Sequence, residues 1–487
     1  MRAAPRLPTA LLGAALLLAL AACGEDQTGP VTVVAANSKP RLANPNREPL
    51  DAGSAFLLQA AAQGLVRFDA TGEIEPALAQ RWIVSDDGLR YTFRLARAEW
   101  PGGGRITAQQ VALRLRAAAT ASSRNPVKPI LGAIQEIVAM TDEVLEISLK
   151  SPRPGFLQLL AQPEMAVLRN GGGSGPYRLT SGAGGSIALA LPRPDEEEEE
   201  RRDAEHPPVT IEGARTAVAV SRFKGGSADL VIGGSAGDLP IAQAMRPAAN
   251  TLVFDPVGGL FGLSFGIADG VLAQPEARQA LTMAIDRAGL LAALRAPALQ
   301  PVETILPPGI EGINQPAGPL WAALPLPERR ILARDTLGRL TTERLRVRVA
   351  LPDGPGWSLV FSHLRRDWAT IGVDATRVAA NAPAELRLMD EVAPVTLASW
   401  YLRHFACDAS RVCDAGADEL LAAARIAPTP VNRRALLAAA DRIITDAAPF
   451  IPLAAPVRWS LVSPRLTGFR ANRFGRHPAG ELVRRAP

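Results

Sequence analysis

Two of the chain's three cysteines lie close together, and a histidine stands just before them. In the stretch SWYLRHFACDASRVC (residues 399–413), Cys407 and Cys413 could form a disulfide, remain free thiols, or join His404 in binding a metal. A metal site needs three or four ligands, and the remaining histidines are distant in the sequence: His206, His363 and His477. The redox environment of the chain therefore decides between these alternatives.

The segment GGSAG (residues 233–237) fits the G-x-S-x-G pattern of a serine nucleophile on a sharp turn. It follows the apolar run Leu230–Ile232, as such a turn would follow a strand. A hydrolase would also need an acid and a histidine beside Ser235. Because the chain has 4 histidines and 42 glycines, a chance match is the simpler explanation. Hydrolysis at Ser235 stays an alternative.

The first 22 residues have the pattern of a secretory signal peptide. Arg2 and Arg6 give a positively charged start, and Leu11–Ala22 is an uncharged apolar run. This run is shorter than the roughly 20 residues that a membrane-spanning helix needs. We therefore expect the chain to be exported.

The apolar run ends in LAACG (residues 20–24), which resembles a bacterial lipobox. The resemblance implies cleavage before Cys23, lipid attachment to that cysteine and a short tether over residues 23–30. A stable anchor takes two membrane signals, and a diacylglyceryl cysteine supplies both. An ordinary signal peptide that ends near a cysteine is the alternative. In an exported lipoprotein, Cys407 and Cys413 would be left to pair as a disulfide, which is the interpretation we favour.

Composition indicates a globular chain with more than one core. The 487 residues include 47% hydrophobic and 21% charged residues. The net charge of +5 comes from basic residues that are interleaved with acidic ones. A nucleic-acid-binding protein needs a concentrated basic surface, so the charge pattern argues against that class. One acidic block, residues 195–205, is typical of a solvated surface loop.

Local patterns predict the first elements of the fold. Val31–Ala35 is a β-branched apolar run typical of a buried strand. We predict a short helix that ends at Trp82, and then a strand in which apolar residues alternate from Leu89 to Leu95. Thr107 is a suitable N-cap for a helix over residues 108–119.

Four segments of this region occur in the order found in one protein family. They are GLVRFD (64–69), GEIEPALAQRW (72–82), SDDGLRYTFRL (85–95) and ITAQQVALRL (106–115). In this order they resemble the solute-binding proteins of the ABC-transporter peptide and nickel class, family 5. Three later segments also resemble the family: GSGPYRL (173–179), PEARQALTMAIDR (275–287) and PFIPL (449–453). The resemblance covers roughly residues 31–475.

The resemblance implies an α/β fold of the periplasmic-binding-protein type II-like class, with two α/β lobes, a hinge and an extra subdomain on the first lobe. Lobe I would be discontinuous, the subdomain would be inserted in it, and lobe II would be one continuous segment. The expected boundaries are 31–63, 172–255 and 455–487 for lobe I, 64–171 for the subdomain and 256–454 for lobe II.

The resemblance also implies a function. We expect a monomeric binding protein, not an enzyme and without a cofactor, that captures a peptide-like or other small solute between its lobes. It would deliver that solute to an ABC permease and its ATPase from the periplasm, tethered to the inner rather than the outer membrane. A ligand sensor or envelope-complex component on the same scaffold is the alternative.

One departure from the family pattern bears on the ligand. Peptide-binding members carry Trp-x-x-Asp, whose aspartate pairs with the α-amino group of the peptide. Here the corresponding stretch is Trp400–Arg403, so a guanidinium stands where the acid is expected. We expect Arg403 to favour a carboxylate or phosphate. If the alignment slips, Asp408 takes the role of the acid instead.

Aromatic side chains are expected in the walls of the cleft. The segment around Phe265 has Gly266 where the family often has an asparagine. The aromatic candidates for the walls are Trp100, Phe265, Trp357, Trp400 and Tyr401.

Overall fold

The computed structural model describes residues 29–191, 208–296 and 299–483. The predicted signal peptide, Cys23 and the acidic block 195–205 lie outside these ranges. Within the described ranges, no helix is both long enough and apolar enough to cross a membrane.

The strands are short and are numbered in chain order. They are β1 (Val31–Ala36), β2 (Val66–Phe68), β3 (Ile74–Pro76), β4 (Ala79–Val84), β5 (Arg90–Leu95), β6 (Ile134–Ala139), β7 (Val144–Leu149), β8 (Leu168–Arg169), β9 (Gly172–Gly173), β10 (Arg178–Ser181), β11 (Ile187–Ala190), β12 (Val209–Ala214), β13 (Leu230–Ser235), β14 (Leu252–Phe254), β15 (Gly259–Phe265), β16 (Arg346–Leu351), β17 (Asp374–Ala379), β18 (Leu386–Val392), β19 (Phe450–Ala454) and β20 (Arg458–Val462).

The α-helices are numbered in the same way. They are α1 (Ala52–Ala61), α2 (Ala108–Ala118), α3 (Lys128–Leu131), α4 (Phe156–Leu160), α5 (Thr216–Lys224), α6 (Leu239–Ala244), α7 (Pro275–Met283), α8 (Arg287–Ala293), α9 (Leu326–Leu340), α10 (Pro355–Ala369), α11 (Ala398–Leu402), α12 (Ala415–Arg425) and α13 (Pro430–Ala447).

Two sheets form the two α/β units of the molecule. The larger sheet has the strand order β10-β11-β12-β1-β13-β20-β14, with the apolar β1 parallel to both of its neighbours. The second sheet has the order β17-β16-β18-β15-β19. The chain crosses between the sheets at residues 255–258 and again at residues 455–457. Two such crossings are the connections about which the two units can move relative to each other.

A third unit is a four-stranded antiparallel sheet in the order β4-β5-β7-β6, covered by α2. The predicted start of α2 is confirmed, because the Thr107 hydroxyl accepts a hydrogen bond from Gln110 N and the Gln110 side chain accepts one from Thr107 N. The alternation in β5 is also confirmed, since Tyr91, Phe93 and Leu95 are buried. One buried apolar cluster continues from Phe93 in this sheet to Trp400 in α11.

The prediction of a short helix ending at Trp82 is wrong. The segment forms β3 and β4 instead. In β4, Trp82 pairs with Phe93 of β5, and the ladder continues to β7 on the far side. Pairing with a neighbouring strand decides the conformation of this segment, because strand propensity depends on the neighbours far more than helix propensity does.

Asp441 is a buried acid on α13 whose ionisation opposes folding. Its side chain is 1% exposed. Oδ2 accepts a hydrogen bond from Ala317 N at 2.6 Å, while Oδ1 is buried without a partner. Burial raises the pKa of Asp441 to about 6, above its value of about 3.9 in an unfolded chain. The stability that this group contributes is therefore present below about pH 4 and is lost as the pH rises through about 6.

We expect the variant Asp441→Asn to remove that loss. An amide has no charge to desolvate and its oxygen can still accept from Ala317 N. The variant should be more stable than the parent by about 2 kcal/mol near pH 7.5, and the difference should shrink towards zero near pH 4. Urea unfolding at both pH values measures this. The control is Asp446→Asn, an exposed site on the same helix. A difference that is equal at both pH values would contradict the raised pKa.

Candidate functional site

A cleft of about 410 Å³ lies between the two large sheets. One wall comes from the seven-stranded sheet, through residues 232–234 of β13 and 458–460 of β20, together with α1. The facing wall comes from the end of β18, residues 391–394, and from residues 400–404. Gln162 and Glu164, which follow α4, also line the cleft. Because the walls belong to separate units, their movement would open or close the cleft.

Packing in the wall formed by the seven-stranded sheet accounts for glycine in the GGSAG segment. A side chain at Gly234 would overlap the indole of Trp459, so glycine lets β13 and this tryptophan pack together. Trp459 is 1% exposed, and its Nε1 donates a hydrogen bond to the Ser235 carbonyl at 2.9 Å. The Ser235 hydroxyl lies 3.5 Å from Asp238 Oδ2, and its hydrogen-bond partners in the described part of the chain include no histidine. The segment therefore serves packing, and among the residues that the structure describes no triad forms at Ser235.

The facing wall is built on α11 and the residues that follow it. His404 packs edge-on against the Trp400 ring, with the ring centres 4.6 Å apart. His404 Nδ1 lies 2.7 Å from the Trp400 carbonyl oxygen, and Nε2 lies 3.2 Å from Glu391 Oε2. The hydrogen bond with His404 lowers the pKa of Glu391 and keeps this group a carboxylate at neutral pH. Glu391 therefore already has a hydrogen-bond partner within the protein, His404.

Arg403 stands in the same wall without such a partner. Its Nε is buried and has no hydrogen-bond partner. Burial lowers the pKa of Arg403, and the nearby Glu391 charge opposes this effect without contacting the guanidinium. Within the described ranges, Arg403 forms no ion pair, and the charges of Glu391 and Asp408 act on it without direct contact. Arg403 therefore lines the cleft as a cation whose guanidinium no carboxylate contacts.

The other arginines in the cleft wall are paired with carboxylates. Arg458 Nη1 lies 2.9 Å from Asp390 Oδ1, and Arg476 Nη2 lies 3.0 Å from Glu164 Oε1. His477 Nε2 lies 3.2 Å from Asp255 Oδ2. The two arginine–carboxylate pairs neutralise their own charges, which leaves Arg403 as the arginine of the lining best placed to bind an acidic solute.

The structure brings only some of the predicted residues to the cleft. Trp400 and Arg403 line it, whereas Tyr401 is buried beside them in the apolar core. Trp100 lies between β5 and α2, where its Nε1 donates to Gln110 Oε1 at 2.8 Å. Of the predicted aromatic residues, Trp400 lines the cleft, and the other aromatic rings of the lining, Phe56, Trp459 and Phe474, were not predicted. Large apolar side chains such as Tyr401 pack into the cores instead.

The remaining predicted positions are also away from the cleft lining. Phe265 is buried on β15 beneath the Arg278 guanidinium, 5.9 Å from the ring centre. Trp357 packs against Gly237. Asp408 is exposed and absent from the cleft walls. The structure therefore places Arg403, and not Asp408, at the cleft.

Cys407 and Cys413 are joined by a disulfide, with their Cα atoms 5.0 Å apart. Both sulfurs are used in this bond, which leaves neither as a thiolate for the metal alternative. In the described residues, no group of three His, Cys, Asp or Glu side chains is arranged to hold a metal. The bond closes the loop between the segment that carries Arg403 and helix α12.

Several cleft residues were not predicted from the sequence. Glu164, Glu391 and Arg476 come from three segments that carry no local motif for binding. His404 also lines the cleft, and the sequence could have predicted this position because His404 directly follows Arg403.

These features define a class of protein. Two α/β sheets, joined by two crossing segments, enclose a cleft whose charged and aromatic groups come from both sides. This is the architecture of a protein that encloses a small solute. A family model described as "Bacterial extracellular solute-binding proteins, family 5 Middle" matches residues 73–405, and the chain belongs to this family.

Known proteins agree with this assignment. The "Probable di/tripeptide-binding protein 5" of Pseudomonas aeruginosa (strain UCBPP-PA14) is 24% identical over 477 residues, which cover 85% of this chain and 88% of that protein. The structure of Haemophilus influenzae OppA in complex with RPPGFSPFR has a TM-score of 0.79 at 16% identity, covering 93% of this chain and 98% of that one. The Escherichia coli murein tripeptide binding protein MppA has a TM-score of 0.78 at 18% identity, with the same coverage of both chains.

The predicted family and the predicted fold class are thus confirmed. Because this family consists of solute-binding proteins, the chain is a binding protein and not a hydrolase that acts at Ser235.

Proposed function

We propose that the chain is an extracytoplasmic lipoprotein that captures a small acidic solute for an ABC importer. Lipidation of Cys23 would tether it to the inner membrane, and the closed protein would present the solute to the permease, with the ATPase driving transport. The boundaries of the lobes and the subdomain given above, and a monomeric state, belong to the same proposal. The lipobox-like LAACG segment supports the anchor, and membership of family 5 supports the transport role.

One observation carries the choice of solute: Arg403 lines the cleft with its positive charge unpaired in the described structure. A carboxylate or phosphate would supply the missing partner, with a charge-assisted and bidentate contact. An ammonium group at this position would be repelled by the guanidinium. A peptide would therefore bind with its carboxylate, and not its N-terminus, at Arg403.

Native mass spectrometry of the full chain tests this proposal first, because it identifies any solute that the cleft retains. Calorimetry with tri- and tetrapeptides then tests the orientation. We expect acetylation of the N-terminus to leave affinity nearly unchanged, and amidation of the C-terminus to weaken binding by about tenfold or more, since it removes the charge that faces Arg403. Tight binding that acetylation abolishes would contradict the proposal.

A further inference from the structure

A second pocket, of about 330 Å³, lies at the seam between the subdomain and helix α13. It shares no lining residue with the cleft described above. Its subdomain side includes Tyr91 and Arg153, and its other side includes Glu311, Arg433 and Arg434. The two sides touch nearby, since Arg153 Nη2 donates a hydrogen bond to the Arg425 carbonyl at 2.9 Å.

Arg153 is a buried cation that lacks a full set of partners. Arg153 is 7% exposed, and its Nη1 is buried without a hydrogen-bond partner. Burial, together with the nearby Arg433 charge, lowers the pKa of Arg153 to about 10, so the group is still charged at neutral pH. A buried donor without an acceptor is costly, and a bound acceptor would remove that cost.

Glu311 is the single carboxylate in the lining of this pocket, and both of its oxygens already accept hydrogen bonds from the protein. Glu311 Oε1 accepts a hydrogen bond from Arg433 Nε at 2.9 Å, and Oε2 accepts one from Ala398 N at 2.8 Å. Arg433 also donates from Nη1 to the Ala424 carbonyl at 2.9 Å. Glu311 and Arg433 therefore satisfy each other, and the charges of Arg153 and Arg434 stay uncompensated among the lining residues.

The remaining polar groups of the pocket also favour an anion. Thr429 and Pro430 line it at the N-terminus of α13, an 18-residue helix whose dipole is positive at this end. Tyr91 also lines the pocket, and its phenol hydroxyl is a group that can donate a hydrogen bond. The rest of the lining is apolar and rigid, through the Tyr91 ring and the prolines Pro152, Pro154 and Pro430.

We propose that this seam pocket binds a small organic carboxylate with an aromatic or other apolar body. The carboxylate would lie between Arg153, Arg434 and the start of α13, and the body would pack on Tyr91 and the prolines. A phosphate fits less well, since a dianion would have to leave water for a largely apolar pocket. The occupant would touch the subdomain and α13 together and hold them in contact. This inference does not rest on the solute proposed for the main cleft.

A fluorine NMR titration of the full chain tests the proposal with fluorobenzoate as the probe and fluorobenzamide as its neutral analogue. We expect saturable binding of fluorobenzoate, and binding of the amide that is at least about tenfold weaker. Arg153→Gln should lower fluorobenzoate affinity at least about tenfold, and Arg434→Gln about threefold. Arg411→Gln, at an exposed position that is not part of the lining, is the matched control and should leave fluorobenzoate affinity unchanged.

Three results would overturn the proposal: no saturable binding of fluorobenzoate, equal binding of the amide, or binding that Arg403→Gln abolishes while Arg153→Gln does not. The last result would place the probe in the main cleft. If Arg153→Gln does not fold, the variants Tyr91→Phe and Arg434→Gln test the proposal instead. Tyr91→Phe removes only a hydroxyl, and Arg434→Gln changes an exposed side chain, so both are expected to fold. Unchanged affinity in both variants would also overturn the proposal.

Discussion

Replacing Arg403 with glutamine is expected to weaken binding of the natural solute by about 2–5 kcal/mol, a loss of about 30-fold or more. The reason is that Arg403 is the cation in the cleft wall that no carboxylate of the described structure contacts. An acidic solute that enters the cleft loses its water and depends on this charge for compensation. Calorimetry with the solute that native mass spectrometry identifies measures the loss, and the retained fraction of that solute should fall in parallel.

Two further variants separate charge from geometry at this position. Arg403→Lys keeps the charge but loses the planar fork, so we expect an affinity between those of the parent and Arg403→Gln. Arg411→Gln removes an equal charge from the exposed disulfide loop and should leave affinity unchanged. If Arg403→Gln binds the solute as tightly as the parent, Arg403 is not the anion-binding group.

Replacing Gly356 with alanine is expected to hold the two large units apart. Gly356 is the second residue of helix α10, and its N–H donates a hydrogen bond to the carbonyl of Gly237, which follows β13, at 2.8 Å. A Cβ at this glycine would overlap the Ala236 carbonyl oxygen and lie 2.8 Å from its carbon. Backbone atoms cannot move aside as a flexible side chain can. Closure should therefore become less favourable by about 3 kcal/mol, which lowers solute affinity by about 100-fold.

Small-angle X-ray scattering gives a second measurement of this effect. In the presence of solute, the Gly356→Ala variant should keep a larger radius of gyration than the parent, because the clash opposes the arrangement of this structure, in which the two units touch at Gly356. Gly338→Ala is the matched control, since a Cβ at this glycine of α9 meets nothing within 4 Å. An unchanged affinity and an unchanged radius in Gly356→Ala would show that this contact does not accompany closure.

Local features of the fold could be predicted from the sequence, whereas features that depend on a distant partner could not. The start of α2 follows from Thr107 and Gln110, which are close together in the chain. The strand nature of the segment around Trp82 could not be predicted, because it depends on a ladder with β5 and β7. The four segments that resemble family 5 were sufficient to identify the family, because their order along the chain can be read directly from the sequence.

The sequence by itself determined the family and the presence of an arginine where an acid was expected. Only the tertiary structure decided that Arg403 faces the cleft and that Asp408 does not. It also decided which charges are already used, since Arg476 pairs with Glu164 across 312 positions of the chain. A charge can bind a solute only if the protein has not neutralised it, and the partners that neutralise it come from segments that folding alone brings together.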